Sequence, residues 1–368
     1  METQPAACKD DASVDGTLPR ITFGIIVLNG EPFTRYCLKA LYPFAHEIIV
    51  VEGACPAAEA IATADGHSID GTLETLYRFK EEEDVENKVH IVTRDGFWEE
   101  KDESSRAYAE RATGDYLWQI DIDEFYHPID MSAVCQMLVN KPLISGVSFY
   151  WNNFWGGFDY LVDGWGYRDI LRTINGNRRV FRWGKNYRYV SHRPPTVLDD
   201  EGQDLCSLNW ISPDETARMG VFCYHYGMVF PKQAQQKTIY YQALWEGYKD
   251  LDQWHRESYK ELLHPFRILH GISAPSWLSR FNGSHPTQIQ HLIDDLSRGL
   301  LNIEQRSTSD IEVLISSASY RVSSLALGFL YYVAGPMKRT VEVFSGMFKT
   351  IVRRLFAIFR ETCRRVVR

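Results

Sequence analysis

The sequence predicts an open α/β sheet, and three observations carry that expectation. Short runs rich in β-branched and aromatic residues, at 21–28 (ITFGIIVL), 48–51 (IIVV), 89–92 and 116–120, alternate with segments whose apolar residues recur at helical spacing. The first run is apolar almost throughout, as in a strand covered on both faces of a parallel sheet. Polar residues then follow each run, at 29–31, Glu52, Asp95 and Asp121/Asp123, and ligands of open α/β sheets sit beyond the carboxyl ends of the strands.

Taken in order, Asn29-Gly30-Glu31-Pro32 opens the first helix, with Pro32 in its first turn. Phe33, Tyr36, Cys37, Ala40, Leu41 and Phe44 supply its apolar face at spacings of three and four. The run at 48–51 ends on Glu52-Gly53 and closes a strand–helix–strand unit. After a polar segment at 54–67, Ser68-Ile69-Asp70-Gly71-Thr72 leads into a second helix, with Thr72 as its cap. Arg94-Asp95-Gly96 ends the third strand. Residues 102–113 read as a third helix, closed by Gly114 at its C-cap. Residues two apart on a strand point to one side, so Asp121 and Asp123 would project together. Two such carboxylates suit a hard divalent cation, Mg²⁺ or Mn²⁺, which can in turn hold a diphosphate. A plain acidic strand-to-loop turn is the alternative.

The second half is less regular. A strand at 146–150 leads into Trp151-Asn152-Asn153-Phe154-Trp155, either an aromatic platform for a sugar acceptor or core packing. Stretches 178–183 and 187–190 read as strands paired with each other, ending at Ser191-His192-Arg193-Pro194-Pro195. Asp199, Asp200 and Glu201 follow in a loop. A short apolar strand at 221–226 places His225 just before Gly227, as a site residue or as a packed core histidine. Lys232 and Lys237 begin a helix, meeting a phosphate or lying on a solvated face. From 232 to 310 the chain reads as mainly helical, broken by Pro265, Pro275 and Pro286.

The 368 residues, 45% hydrophobic and 24% charged, suit one large globular domain or two. Seven scattered cysteines without a C-x-x-C pair argue against a disulfide framework or zinc site and suit a reducing cytoplasm. Residues 1–20 are polar, are expected to be disordered, and carry no basic-then-apolar leader. The net charge of −8 is uneven: residues 336–368 hold nine basic and two acidic residues, which leaves 31 basic and 46 acidic elsewhere. That acidic body excludes a nucleic-acid-binding core, while the basic end suits an anionic surface. The uncharged stretch 322–337 is 16 residues, short of the roughly 20 that span a bilayer. Beyond Pro336 a helix would place Phe344, Phe348, Ile351, Leu355 and Phe359 on one side and Lys349, Arg353, Arg360 and Arg364 on another. Such a basic amphipathic helix lies in an anionic membrane interface, or packs on the body or an oligomer partner.

The order of a strand with N-G-E, a strand with V-V-E-G, then S-x-D-x-T and G-D-Y-x-x-x-x-D-x-D resembles the family 2 glycosyltransferases, over 21–126 and more loosely to about 241. Ser319-Tyr320-Arg321 also resembles the tails of polysaccharide-assembly transferases. The resemblance implies the GT-A fold, a Rossmann-like mixed sheet flanked by helices, over 21–231. A helical region at 232–320 and the apolar and basic tail at 321–368 would follow. It implies metal-dependent transfer, usually inverting, from a nucleotide diphosphate sugar to a glycan or lipid-linked hydroxyl acceptor, with uridine diphosphate the commonest nucleotide. By position Leu28, Asn29, Glu31, Glu52 and Asp95 would hold base and ribose, and Lys101 and Arg106 would approach the nucleotide or diphosphate. Asp121 would sit near ribose or metal, Asp123 would ligate Mn²⁺ or Mg²⁺ directly, and His225 would complete that site. The chain departs from the family in having Glu52 for an aspartate, residues 55–67 before the S-x-D-x-T, and Arg193 where an acid usually follows the histidine. His192 and Asp200 are the candidate proton acceptors. The activity would be exercised at the cytoplasmic face of a membrane. The alternatives are a nucleotidyltransferase, whose glycine- and basic-rich triphosphate loop is not found in Asn29-Gly30-Glu31-Pro32, and a catalytically silent membrane-peripheral nucleotide-binding scaffold.

Overall fold

The computed structural model describes residues 19–165, 177–244, 250–269 and 274–341, with side chains to 331 in the last helix. Residues 1–18 and the stretch beyond 341, where a disordered start and a basic amphipathic helix are expected, lie outside the described residues. Elements β1 (Ile21–Val27), α1 (Thr34–Leu41), β2 (Glu47–Glu52), α2 (Thr72–Glu82), β3 (Val89–Val92), α3 (Lys101–Ala109) and β4 (Tyr116–Asp121) alternate along the chain. The four strands run parallel in the order β4-β1-β2-β3. Ile21, Phe23, Ile25, Ile48, Val50, Leu117, Trp118 and Ile120 are fully buried, because helices cover both faces. Each such side chain contributes roughly 1.5–3 kcal/mol. Gly24 is the exception along β1. A Cβ there would lie 2.4 Å from the Tyr108 ring, so the missing side chain lets α3 rest on the sheet.

Next come β5 (Glu124–Phe125), α4 (Pro128–Asn140), β6 (Gly146–Ser148), β7 (Trp151–Trp155), β8 (Tyr160–Gly164), β9 (Arg178–Arg182), β10 (Arg188–His192), β11 (Pro195–Leu198), β12 (Trp210–Ile211), α5 (Pro213–Arg218) and β13 (Cys223–Met228). Strands β9, β6 and β12 extend the first sheet to seven strands, with β9 antiparallel to β4 and β6. The chain ends with α6 (Pro231–Leu244), α7 (Leu251–Trp254), β14 (Ser276–Arg280), α8 (Thr287–Ser297), α9 (Ser309–Ser316) and α10 (Ala318–Val341). A second sheet runs β14-β8-β7-β13-β5. Strand β4 belongs to the first sheet and β5 to the second, so Ile122 and Asp123 form the turn where the two sheets meet.

The mixed α/β sheet flanked by helices matches the expected fold class, with several local corrections. Helix α1 begins at Thr34, not at 29–32, because the N–H groups of Asn29, Gly30 and Glu31 are taken by side chains from 68–72. Thr72 is not the cap of α2. Gly71 is, at φ 92°, while the Thr72 hydroxyl faces inward. Helix α3 ends at Ala109, five residues before Gly114, whose place is a close pass beside Arg20 and Thr22. Strands β9 and β10 are not partners: β9 is buried within the first sheet, and β10 folds onto β11 through the turn at 193–194. The stretch expected to be helical contains β14, an edge strand on β8. Asp123 lies in a turn, so strand alternation does not set its direction.

Candidate active site

The loop after β1 is clasped by the S-x-D-x-T segment. Asn29 N–H donates to Ser68 Oγ (2.9 Å), Gly30 N–H to Thr72 Oγ1 (2.7 Å) and Glu31 N–H to Asp70 Oδ2 (3.0 Å). In return Ile69 N–H donates to Asn29 Oδ1 (2.8 Å), and Asn29 Nδ2 donates to the Ile61 carbonyl (2.7 Å). The spacing of three alternate polar side chains matches three consecutive backbone donors, which explains the motif as a fastening. Glu52 fastens the same region from below. Its fully buried carboxylate accepts from Ser68 N–H (2.8 Å), His67 Nδ1 (2.8 Å) and Thr93 Oγ1 (3.3 Å).

Beyond the carboxyl ends of β1, β2 and β4 lies a cavity of about 350 Å³. Leu28, Cys55, Ala58 and Ile61 form an apolar wall, and Lys101, Asp121, Asp123, His192, Arg193, His225 and Lys237 bring charge and hydrogen-bonding groups. Every acid here is held by a cation. Asp121 Oδ2 meets Arg193 at 2.7 Å and Arg179 at 3.6 Å, and Asp123 Oδ2 meets Lys237 Nζ at 3.1 Å. Behind them Glu124 and Arg179, both with fully buried side chains, pair at 2.5 Å. Burial alone would raise the Asp121 carboxyl, but Arg193 and then Arg179 hold it well below the usual carboxylate range. Asp123 is likewise lowered, since Lys237 and His225 outweigh burial. Burial works against the Lys237 ammonium, and Asp123 reverses that effect, raising its pKa.

Sheet register positions His225. It lies opposite Asn153 on β7 and Glu124 on β5. His225 Nδ1 bonds Asn153 Oδ1, which can only accept, so Nδ1 carries a proton. That leaves Nε2 as the lone-pair atom of the neutral ring, 3.4 Å from Asp123 Oδ1. Two lone-pair atoms facing each other at this distance can share a cation. Gly227 makes this corner possible: a Cβ there would lie 2.2 Å from Lys237 Nζ and 2.7 Å from His225 Nε2.

Among the described residues no three His, Cys, Asp or Glu side chains form a metal cage. Mg²⁺ and its kin, however, are commonly held by one or two protein ligands plus substrate phosphates. Asp123 Oδ1 and His225 Nε2, with the histidine fixed through its other nitrogen, fit that pattern. Asp121 lines the same cavity with its Oδ2 engaged by two guanidinium groups.

Of the residues expected from sequence, Leu28, Asn29, Lys101, Asp121, Asp123, His192 and His225 line the cavity. Asn29 does so with its side chain committed to the clasp. The others do not line it. Glu52 is consumed by the network above, and the Glu31 carboxylate lies by Thr75 and Thr34, its pKa raised by burial. Asp95 is on an exposed turn. Arg106 faces Glu100 at 4.0 Å. Asp200 is exposed in the turn after β11, so it cannot take a proton within the cavity. His192 is buried, and its pKa falls well below 6.5 through desolvation, then the Arg193 charge. Its Nδ1 meets Ser105 Oγ at 2.9 Å and Gln119 Nε2, a donor only, at 3.5 Å. That favours a proton on Nε2, making His192 a hydrogen-bond donor rather than a ready base. Trp155 is core, whereas Trp151 lines the cavity with its ring 4.9 Å from the Arg179 guanidinium.

Sequence reasoning did not pair the acids with Arg179, Arg193 and Lys237, although Lys237 is one of the two lysines weighed there as a phosphate partner or a solvated residue. Lys237 had a signal, since Gln233, Gln236, Lys237, Tyr240 and Tyr241 recur at helical spacing and form the cavity-facing side of α6.

No family model matches the chain, and no curated protein matches it. Among solved structures, S. aureus TarS 1-349 aligns over 68% of this chain and 74% of its own, at 10% identity and a TM-score of 0.36. Its complex with UDP-GlcNAc aligns over 44% and 45%, at 10% identity and 0.32. M. tuberculosis glucosyl-3-phosphoglycerate synthase with Mn²⁺ and UDP-Glc aligns over 45% and 56%, at 16% identity and 0.30. The aligned part thus spans about half the length of the latter two chains.

Proposed function

We propose that the chain is a glycosyltransferase that binds a nucleotide diphosphate sugar in this cavity and passes the sugar to a hydroxyl acceptor. The observation that carries the reading is the pairing of Arg193 with Asp121 and of Lys237 with Asp123 in a cavity beyond the carboxyl ends of parallel strands, with Lys101 on the same lining. Three cations against two carboxylates leave the lining positive before the histidines are counted, which suits a diphosphate. Arginine and lysine are both phosphate ligands, arginine through paired N–H groups. The cavity volume lies within the range of small-molecule sites, and its apolar wall at Leu28, Cys55, Ala58 and Ile61 suits the flat face of a base. The sequence motifs point the same way, with a uridine diphosphate sugar as donor and a glycan or lipid-linked acceptor.

Asp123 and His225 would hold Mn²⁺ or Mg²⁺ together with donor oxygens. When bound, such a cation supplies Lewis-acid stabilisation of the leaving diphosphate. The chain's own groups orient and neutralise: Lys101, Arg193 and Lys237 meet the diphosphate and offset the charge that grows as the sugar departs. The Glu124–Arg179 pair fixes Asp121, and His192 lines the cavity as a buried ring whose pKa is lowered. Incubation of the full chain with a panel of uridine diphosphate sugars and Mn²⁺ tests the proposal. Slow release of uridine diphosphate from one donor is expected. Failure to bind or cleave any of them, with the fold intact, would favour a silent scaffold.

A further inference from the structure

Helix α10 carries apolar residues on two opposite sides. One side, Tyr320, Leu327 and Tyr331, is buried by the body, where Trp165, Phe266 and Trp277 receive it. The other side presents Val322, Leu325 and Phe329, which are 67%, 74% and 67% exposed. At roughly 100° per residue these three fall within about 60° of one another and about 180° from the packed side. Helix α9, joined to α10 by a sharp bend of 74°, adds Val313 at 75% exposed. Scattered apolar residues on a surface are ordinary, but a continuous helical stripe is an interaction surface.

Charge identifies the partner. In the sequence the stripe is followed by residues 336–368, where nine basic residues stand against two acidic ones on a chain whose remainder is acidic. A hydrophobic protein groove would account for Val322, Leu325 and Phe329 but not for the adjoining positive charge. An anionic lipid surface accounts for both, offering acyl chains to the stripe and headgroups to the lysines and arginines. No single helix among the described residues is long and apolar enough to cross a membrane. Helices α9 and α10 reach that length and composition only together, as a pair bent by 74°, and one side of α10 is packed on the body, so it is the outer side that meets the plane of an interface. We propose that the outer face of α10, together with the end of α9, docks this chain on an anionic lipid surface. The inference does not depend on the proposed chemistry of the cavity.

Flotation of the full chain with phosphatidylcholine vesicles, with and without phosphatidylglycerol, tests it. The chain is expected to float with the phosphatidylglycerol vesicles and much less with phosphatidylcholine alone, and to be released by high salt. The double variant Leu325→Gln/Phe329→Gln should lower the partition coefficient at least about tenfold, with an unchanged thermal midpoint because both side chains are exposed. Equal partition of the wild type and the variant, or no preference for the anionic lipid, overturns the proposal. So does a chain that ignores vesicles but dimerises in solution and becomes monomeric in the variant, since a second copy would then cover the stripe.

Discussion

Asp121 and Asp123 stand two residues apart and differ in what holds them. Asp121 is gripped by Arg193 and Arg179, whereas Asp123 shares its two oxygens between Lys237 and His225. Lys237 is thus the resident cation of Asp123 and, in the proposed reaction, a partner of the diphosphate. Replacing it as Lys237→Met should weaken uridine diphosphate binding about tenfold, the scale of one charge-assisted contact. The same variant should bind Mn²⁺ alone more tightly than the wild type, because Asp123 loses its competitor. Calorimetry for the nucleotide and the Mn²⁺ spin-resonance signal for the free ion check the two effects separately. Glu124 makes a different prediction. Its carboxylate balances the fully buried Arg179, so Glu124→Gln should cost about 3–5 kcal/mol in urea unfolding by stranding that charge.

Among the elements, the clasp of residues 68–72 on 29–31 sets the shape of the cavity's near wall. Thr72→Val removes the acceptor of Gly30 N–H while keeping the shape of the side chain. A buried donor left without a partner costs about 1–3 kcal/mol, readable as a lower urea midpoint. Hydrogen exchange should quicken at Gly30 in the same variant. The strands around this clasp were legible because β1 and the middle of β2 are continuous apolar runs and β4 is nearly one, the mark of burial on both faces, whereas β3, VHIV, is a short edge strand with an exposed histidine. Strand β14, SWLSR, left no such mark: it is short, at a sheet edge, and polar at its exposed end. The pairing of β9 with β4 and β6 was hidden for another reason, since sequence neighbours are the natural first guess for partners. The acids of the site were legible as a local motif. Their cations were not, because Arg179, Arg193 and Lys237 arrive from 55 to 114 residues away along the chain.

Over the whole molecule, the two sheets meet at Ile122 and Asp123, and aromatic packing from the second sheet closes around His285. Its ring nitrogen meets the Tyr226 hydroxyl at 2.8 Å, beside Phe154, Phe158 and Phe281. Burial pushes this histidine down to about 4, with Asp159 opposing and His127 adding to the fall. A histidine lowered in the fold takes up its proton first in the unfolded chain. Its contribution is therefore intact above pH 6.5 and is lost as pH falls from there towards 4. Asp130 works in the opposite sense, since burial raises its carboxyl to about 6. The difference between wild type and His285→Gln is thus the proper readout. In thermal unfolding at stepped pH, the wild type should lose ground relative to the variant between pH 6.5 and 4. A constant difference would show that the ring is not so confined.

The same junction underlies the proposed function: where the two sheets meet, Asp123 faces His225, and α6 brings Lys237 to them. The most direct measurement is release of uridine diphosphate from a donor sugar by the full chain and by Asp123→Asn, each with Mn²⁺ and with excess chelator. Turnover by the wild type with Mn²⁺ is expected, with a fall of at least about 100-fold, roughly 2.7 kcal/mol, in the variant or with chelator, while the variant stays folded. Full turnover by Asp123→Asn, or by the wild type in chelator, would contradict it.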